Sequence, residues 1–206
     1  MTQKKDYNPA NPDHGNGRTM LERMNNSHQY LRDQFFPMIP WKDEMTMLDV
    51  GCGGGETVRQ MLGMSRDSIV YGIDYSETAV EYSRENNKDQ LNSRVFIEQA
   101  DVASLPFDSD KFNIVTAMET TYFWPDVPAG MKEIHRVLKD KGVFAIILEA
   151  VTPGLHQDWD RSYGEINIWT VEELTKMLKD AGFSSVSAHR GTEDSALILG
   201  YNNEYE

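Results

Sequence analysis

A glycine-rich turn between a short apolar segment and a helical segment is the feature that most constrains the fold. Residues 45–50 have the composition of a buried strand, residues 51–55 hold four glycines and Cys52, and residues 56–64 have helical periodicity. Glycine permits positive φ and close approach of a ligand to the backbone, because no Cβ stands in the way. The order of strand, glycine turn and helix therefore predicts an α/β domain that binds a nucleotide-like ligand at the turn.

Details of the turn separate three kinds of ligand. A phosphate-binding loop needs Lys and then Ser or Thr after its last glycine, whereas Glu56 and Thr57 follow Gly55. A dinucleotide fingerprint is poorly matched, because Glu56 takes the place of its last glycine and would face a pyrophosphate. The acidic Asp49 ahead of the glycines favours a ligand without phosphate that carries an ammonium or sulfonium charge.

Two further acidic residues follow apolar segments at suitable intervals. Asp74 ends the segment 68–74, and doubly wound folds place a carboxylate on ribose hydroxyls about twenty residues after the glycine turn. Asp101 follows the apolar segment 94–98. An acidic residue there can accept a hydrogen bond from the exocyclic amine of adenine, while the next backbone N–H, that of Val102, donates to the ring.

Together these residues resemble the motif set of the class I S-adenosylmethionine-dependent methyltransferases, especially the branch that includes ubiquinone and menaquinone biosynthesis C-methyltransferases. The resemblance is strong over residues 45–150 and looser as far as Tyr201. It implies a Rossmann-like, doubly wound α/β sheet of seven strands, mostly parallel with an antiparallel last strand, and helices on both faces. It also implies S-adenosylmethionine as the cofactor. The predicted cofactor-binding residues are Asp49, Gly51, Cys52, Gly53, Asp74, Tyr75, Asp101, Val102 and Met118.

The chain length predicts one domain with an N-terminal extension. A chain of 206 residues suffices for one α/β domain with a sizeable core. We predict a flexible N-terminal arm over residues 1–17 and a single methyltransferase domain over residues 18–206. Within that domain we expect a helical cap at 18–40, a cofactor-binding core at 45–150 and an acceptor-site loop at 151–169.

Polar and aromatic side chains gather in the segments that should frame a methyl acceptor. In class I folds the loop after the fourth strand, predicted at 112–117, lies beside the transferable methyl group. Long irregular loops such as 151–169 often cover active sites. Clustered aromatic rings favour a flat or apolar acceptor, or a cation over a ring face. The predicted acceptor-binding residues are His28, Glu119, Tyr122, Trp124, Trp159 and Tyr163.

The sequence leaves the catalytic residues open. Alignment of nucleophile, methyl and sulfur supplies much of the rate of an in-line displacement, so a strong base is not obligatory. A hydroxyl, amine or activated carbon acceptor needs a base, and its candidates are His28, Glu119, Tyr122, His156 and Tyr163. Metal-ligand spacing of His, Cys or carboxylates is absent from the sequence, so no metal is predicted.

Charge and composition limit the substrate and the compartment. The net charge of −13 repels a polyphosphate backbone, and the loop at 118–125 lacks the Asn/Asp-Pro-Pro-aromatic pattern of nucleic-acid amino-methyltransferases. Apolar runs long enough to span a bilayer are absent, the N-terminus lacks the apolar core of a signal peptide, and Cys52 is the single cysteine. We predict a cytoplasmic protein that methylates a small molecule, with no nucleic-acid substrate and no membrane insertion.

Two other functions remain open from the sequence. A protein of this fold can bind S-adenosylmethionine without catalysis, as a sensor or as a partner subunit. A nicotinamide-dependent oxidoreductase is the less favoured alternative, because Glu56 occupies a position that should approach the pyrophosphate.

Overall fold

The fold is a seven-stranded mixed sheet with helices on both faces. The computed structural model describes residues 12–13, 15–156 and 166–203. The sheet has the order β3-β2-β1-β4-β5-β7-β6, in which β1 to β5 run parallel and β7 runs antiparallel to both of its neighbours. This arrangement confirms the predicted fold class. The strands are β1 Thr46–Val50, β2 Ile69–Asp74, β3 Val95–Gln99, β4 Phe112–Met118, β5 Leu138–Leu148, β6 Ser185–Arg190 and β7 Ala196–Tyr201.

Short polar residues start several of the helices that cover the sheet. The side chains of Ser76, Asp126 and Thr170 each accept a hydrogen bond from a backbone N–H in the first turn of the helix that follows. Thr170 and Glu173 also form a reciprocal capping box. The helices are α1 Gly17–Ser27, α2 Gln29–Phe35, α3 Glu56–Met64, α4 Glu77–Asn86, α5 Val127–Val137 and α6 Val171–Ala181.

The predicted helical cap at 18–40 consists of two helices and a 3₁₀ turn. His28, with φ −87° and ψ 8°, leaves the helical region and separates α1 from α2, and Phe36–Met38 forms the turn. The break lets the two pieces pack in different directions, since α1 contacts α4 and α2 contacts β5. As a result, α1 reaches over the carboxyl ends of the strands.

Each face of the sheet has its own apolar core. Helices α5 and α6 cover one face, with Met131 and Leu178 fully buried, and α2, α3 and α4 cover the other, with Phe35 and Met61 almost fully buried. Burial on both faces explains the nearly continuous apolar sequence of the central strands. No helix in the described part of the chain combines the length and the apolar character that a membrane crossing requires.

The glycine at position 63 offers a test of local stability. Gly63 lies within α3, and a Cβ added there meets no atom within 4 Å. Because alanine loses less conformational entropy than glycine in a helix, we expect Gly63→Ala to raise the free energy of unfolding by about 0.5–1 kcal/mol. Urea unfolding of both proteins measures this difference, and a decrease would show that α3 ends before position 63.

Candidate functional site

A cleft opens at the carboxyl ends of the central strands, where open α/β sheets bind their ligands. It encloses about 670 Å³, part of it open to solvent. The loops after β1, β2, β3 and β4 form its floor and sides, and α1 covers it. Its lining residues are Pro12, Leu21, Met24, Val50, Gly51, Gly53, Ile73, Asp74, Tyr75, Ala100, Val102, Met118, Glu119, Thr120, Phe123 and Trp124.

Two glycines of the turn after β1 shape the cleft in different ways. Gly51 has a φ of 70°, and a Cβ there would lie 2.2 Å from Thr120 Oγ1, so the turn and the loop after β4 touch through its bare backbone. Gly53 has a φ of 49°, and the nearest atom to an added Cβ would be Leu21 Cδ2 at 3.7 Å. Gly53 therefore faces open space in the cleft, where a ligand can approach the backbone.

Three asparagine side chains hold the carbonyls of the glycine turn. Gly54 O accepts hydrogen bonds from Asn25 Nδ2 at 3.2 Å and from Asn86 Nδ2 at 2.6 Å. Asn87 Nδ2 donates to Gly55 O at 3.0 Å. These bonds fix the turn between α1 and α4, so its geometry is set before any ligand binds.

Asp74 lies at the end of β2 and connects two loops of the cleft. Its Oδ2 accepts from the Gly53 N–H at 2.8 Å, and its Oδ1 accepts from the Ser76 N–H at 3.0 Å. Burial raises the pKa of Asp74, while these backbone hydrogen bonds act in the opposite direction. The carboxylate thus lies on the cleft wall in a fixed orientation.

Asp49 lies behind the glycine turn, inside the protein. It is 2% exposed, and Thr116 Oγ1 donates to its Oδ1 at 2.7 Å. Burial raises the pKa of Asp49 to about 7, although the Thr116 hydrogen bond and the charge of Arg32 oppose the shift. A buried carboxyl of this kind makes folding depend on pH.

We expect Asp49→Asn to stabilise the protein at pH 8. The pKa of Asp49 rises from 3.8 to about 7 on folding, so the free energy of unfolding falls as pH rises through this range and levels off above it. The neutral amide keeps an acceptor for Thr116 and removes up to about 4 kcal/mol of this penalty. Urea unfolding at pH 8 and pH 5 should show a gain that shrinks at the lower pH. An equal or lower stability of the variant at pH 8 would contradict the assignment.

Glu119 follows β4 and lies at the other end of the cleft. It is 7% exposed and has a φ of 57°, a conformation that is uncommon for a residue with a Cβ. Its Oε1 accepts from the Glu149 N–H at 2.6 Å and from the Tyr122 hydroxyl at 3.2 Å. Burial, and then the neighbouring Glu149 carboxylate, raises the pKa of Glu119 well above its usual range.

His28 lies near these two carboxylates, at the junction of α1 and α2. Burial, and then the charge of Arg32, lowers the pKa of His28 to about 4, so its imidazole is neutral at neutral pH. Ligand atoms of His28, Glu119 and Glu149 all lie within 4.8 Å of one another. The helix break that the sequence did not predict thus brings His28 to the carboxyl end of the sheet.

The structure brings six of the nine predicted cofactor residues to the cleft. Gly51, Gly53, Asp74, Tyr75, Val102 and Met118 line it. Asp49 and Cys52 lie behind the turn with 2% and 5% exposure. Asp101 is exposed, and its Oδ1 accepts from the Ala103 N–H at 2.8 Å.

Two of the six predicted acceptor-binding residues line the cleft. Glu119 and Trp124 line the cleft. Tyr122 is 2% exposed, and its hydroxyl bonds to the backbone of Ala150, so it supports the loops from behind. His28 lies next to Glu119 but is not part of the cleft lining. Trp159 and Tyr163 lie outside the described residues.

Sequence reasoning missed several residues of the site. Leu21, Met24 and Thr120 line the cleft through α1 and the loop after β4. No sequence pattern marks such side chains as part of a binding site, since apolar and hydroxyl-bearing residues are common in any helix or loop. Glu149 did have a signal, because it is an acidic residue directly after an apolar strand, as Asp74 is.

The charge of the lining indicates which ligand fits. The described lining contains the carboxylates of Asp74 and Glu119, apolar side chains and bare backbone, and it contains no Lys, Arg or His. Such a surface disfavours a pyrophosphate and favours a ligand that carries hydroxyls and a positive charge. The space beside Gly53 and the carboxylate of Asp74 fit the nucleoside part of such a ligand.

Comparison with known proteins identifies the family. The family model described as "Methyltransferase domain" matches residues 41–182. The chain belongs to this methyltransferase family. The matched range begins just before β1 and ends just after α6, so it contains the whole glycine turn and the loops that form the cleft.

Curated relatives agree with this membership, and a solved structure shares the fold. The 27-O-demethylrifamycin SV methyltransferase of Amycolatopsis mediterranei is 31% identical over 77% of this chain and 61% of its own length. The demethylmenaquinone methyltransferase of Staphylococcus saprophyticus is 26% identical over 87% of this chain and 90% of its own. A Haloferax volcanii methyltransferase in complex with a methyltransferase activator superposes with a TM-score of 0.81 at 20% identity, covering 90% of this chain and 95% of that one.

The methyltransferase relatives differ in length from this chain. The chain spans 61%, 55% and 40% of the rifamycin enzyme, of a rice cycloartenol C-24-methyltransferase and of an Aspergillus sterol 24-C-methyltransferase. The comparisons therefore show the methyltransferase family, and the reaction of this chain is proposed below from its own site.

Proposed function

We propose that this protein binds S-adenosylmethionine in the cleft and transfers its methyl group to a small-molecule acceptor. The observation that carries the proposal is the composition of the described lining, which pairs two carboxylates with apolar surface and has no basic side chain. S-Adenosylmethionine carries ribose hydroxyls, an ammonium and a sulfonium, and it has no phosphate. Membership of the methyltransferase family supports the same ligand.

Asp74 is the residue that we assign to the ribose. Its two oxygens each accept one backbone N–H, which leaves further lone pairs for hydroxyl donors in the cleft. Ala100 and Val102 give the neighbouring wall an apolar surface for the adenine ring. We assign the exocyclic amine to Asp101, through Oδ2, because Oδ1 is engaged by Ala103.

Asp49, Cys52 and the glycines act on the cofactor through the shape of the turn. Cys52 N–H donates to Ile73 O at 2.9 Å, which joins the turn to β2. The thiol of Cys52 is buried beside Ser83 at 3.8 Å, so it supports the turn from behind. Asp49 adds a negative charge below the turn whenever it is ionised, and this charge attracts a cationic ligand at a distance.

When bound, S-adenosylmethionine supplies a methyl group on a sulfonium that a nucleophile displaces in line. The contribution of the protein is to hold the acceptor in line and to exclude water, which together can lower the barrier by roughly 7–11 kcal/mol. Leu21 and Met24 from α1 cover the cleft, and Phe123 and Trp124 close its far side. Glu119 lies on this side, and in its ionised form it is the carboxylate best placed to receive a proton from an acceptor.

The proposed acceptor is a small molecule with an apolar or flat face. Phe123 and Trp124 offer aromatic surface at the cleft, and the net charge of −13 repels nucleic acid. The names of two relatives refer to 27-O-demethylrifamycin SV and to demethylmenaquinone. We therefore place phenols and hydroquinones first among the acceptor classes.

Transfer of radiolabelled methyl groups tests the proposal. The full chain is incubated with methyl-labelled S-adenosylmethionine and separate pools of phenols, hydroquinones, enols and amines. We expect label in organic product with one pool and none without protein. Stoichiometric binding of S-adenosylhomocysteine without label transfer to any pool or to a metabolite extract would favour a non-catalytic binder. An absorbance change with NADH would favour an oxidoreductase.

A further inference from the structure

Three potential metal ligands converge beside the cleft from three separate elements. His28 lies between α1 and α2, Glu119 follows β4 and Glu149 follows β5. Their nearest donor atoms all lie within 4.8 Å of one another. Donors that share one ion at roughly 2.1 Å each lie at most about 4.2 Å apart, so small side-chain rotations bring all three onto one ion.

The cluster contains a carboxylate oxygen that the described residues leave without a hydrogen bond. Glu119 is 7% exposed, and both of its hydrogen bonds, from the Glu149 N–H and the Tyr122 hydroxyl, fall on Oε1. Within the described residues, Oε2 accepts none, and it is not among the fully buried oxygens that lack a partner. Its lone pairs are therefore accessible to a cation on the cleft side, where Glu119 is part of the lining.

The ion pairs recorded among the described residues include neither Glu119 nor Glu149. Two carboxylates this close repel each other unless a proton or a cation lies between them. His28 adds an imidazole, which is the commonest metal ligand among protein side chains.

Hydrogen bonds from neighbouring residues orient these ligands, as is usual around metal centres. The Tyr30 hydroxyl donates to Glu149 Oε2 at 2.9 Å, and the Tyr122 hydroxyl donates to Glu119. Glu119 is held at a φ of 57°, and strained backbone of this kind is concentrated at functional sites. The cluster is therefore a fixed arrangement rather than a group of mobile surface acids.

We propose that His28, Glu119 and Glu149 bind a divalent transition-metal ion at the acceptor side of the cleft. One imidazole with two carboxylates suits Mn²⁺, Fe²⁺, Co²⁺ or Zn²⁺. The proposal replaces the expectation of no metal site, which depended on spacing along the chain. Metal binding does not depend on the proposed methyl transfer. If both hold, the ion lies where it can bind an acceptor oxygen, since Glu119 also lines the cleft.

Metal titration of the full chain tests the site without cofactor or acceptor. Mn²⁺ binding is followed by electron paramagnetic resonance, and Co²⁺ binding by its visible absorption. We expect one ion per chain in the wild type and affinity at least about tenfold weaker in Glu149→Gln and in His28→Ala. Glu149→Gln keeps an acceptor for Tyr30 and replaces a half-buried side chain, so the fold should survive, and circular dichroism checks this.

Glu193→Gln is the matched control, because Glu193 is an exposed acid near Glu149 and is not part of the cluster. It should bind both ions as the wild type does. Absence of saturable binding of Mn²⁺, Co²⁺ and Zn²⁺ by the wild type would overturn the proposal. Equal loss of affinity in Glu193→Gln, or undiminished affinity in the folded Glu149→Gln and His28→Ala variants, would overturn it as well. Failure of methyl transfer alone would leave these binding results standing.

Discussion

Asp74→Ala is expected to weaken S-adenosylhomocysteine binding at least about 100-fold, which corresponds to roughly 2.7 kcal/mol. The carboxylate lies on the cleft wall and accepts from the backbone of Gly53 and Ser76. Its removal deletes the assigned ribose acceptor, and hydrogen bonds to a charged group contribute about 1.5–3 kcal/mol each. It also releases the glycine turn from the end of β2. Isothermal titration calorimetry on the wild type and the variant measures the loss.

Glu77→Gln provides a control for the loss of one negative charge near Asp74. Glu77 lies in the first turn of α4, three residues after Asp74, and is exposed. Its neutralisation should leave the affinity within about twofold, because exposed charges are well screened. Asp74→Asn, which keeps one acceptor oxygen, should fall between the wild type and Asp74→Ala. Unchanged affinity in a folded Asp74→Ala protein would remove Asp74 from the site.

Gly51→Ala is expected to lower the free energy of unfolding by about 2–4 kcal/mol. The left-handed φ of 70° disfavours any residue with a Cβ by about 1–2 kcal/mol. The added Cβ would also lie 2.2 Å from Thr120 Oγ1 and 2.8 Å from Thr120 Cβ, so the loop after β4 must move. That loop carries Glu119, and cofactor affinity should fall together with stability. Urea unfolding and calorimetry measure the two effects.

A double-mutant cycle separates the two causes of this destabilisation. Thr120→Gly removes the three atoms nearest to the added Cβ. In a protein that already carries Thr120→Gly, Gly51→Ala should therefore lower the free energy of unfolding by only about 1–2 kcal/mol, which is the cost of the left-handed backbone conformation. Gly63→Ala, in the open helical position of α3, is the control for an added methyl group and should stabilise. A stable Gly51→Ala protein with normal affinity would contradict the contact between the turn and the loop.

Much of the fold could be predicted from the sequence because its elements have strong local signals. The glycine turn, the apolar strands and the capping residues Ser76, Asp126 and Thr170 each depend on local chemistry. The seven strands and the antiparallel strand are implied by the family resemblance, since no local pattern states which strands are neighbours. The structure confirms both, and it supplies the strand order, which was not predicted.

The N-terminal helix shows where periodicity fails. The stripe of Met20, Met24, Leu31 and Phe35 continues through His28, so the sequence predicts one helix. In the structure α1 packs against α4 and the glycine turn, while α2 packs on β5. Tertiary packing therefore decides the break, and with it the position of His28.

Site residues could be predicted where an acidic residue or a glycine follows a strand. They could not be predicted where folding brings together residues that are far apart along the chain. Asp74 and Gly53 have such signals, and both line the cleft. Glu149 has the same signal, but it precedes the predicted acceptor-site loop at 151–169 and is not among the predicted site residues. The convergence of His28, Glu119 and Glu149 has no sequence signature, because these ligands come from three elements far apart along the chain.

The most direct test of the central claim is a crystal structure of the protein with S-adenosylhomocysteine. The account predicts the ligand in the cleft, with its ribose hydroxyls on Asp74, its adenine against Ala100 and Val102, and its sulfur toward Glu119. Binding in solution together with a ligand seated elsewhere, or with its ribose away from Asp74, would contradict the account.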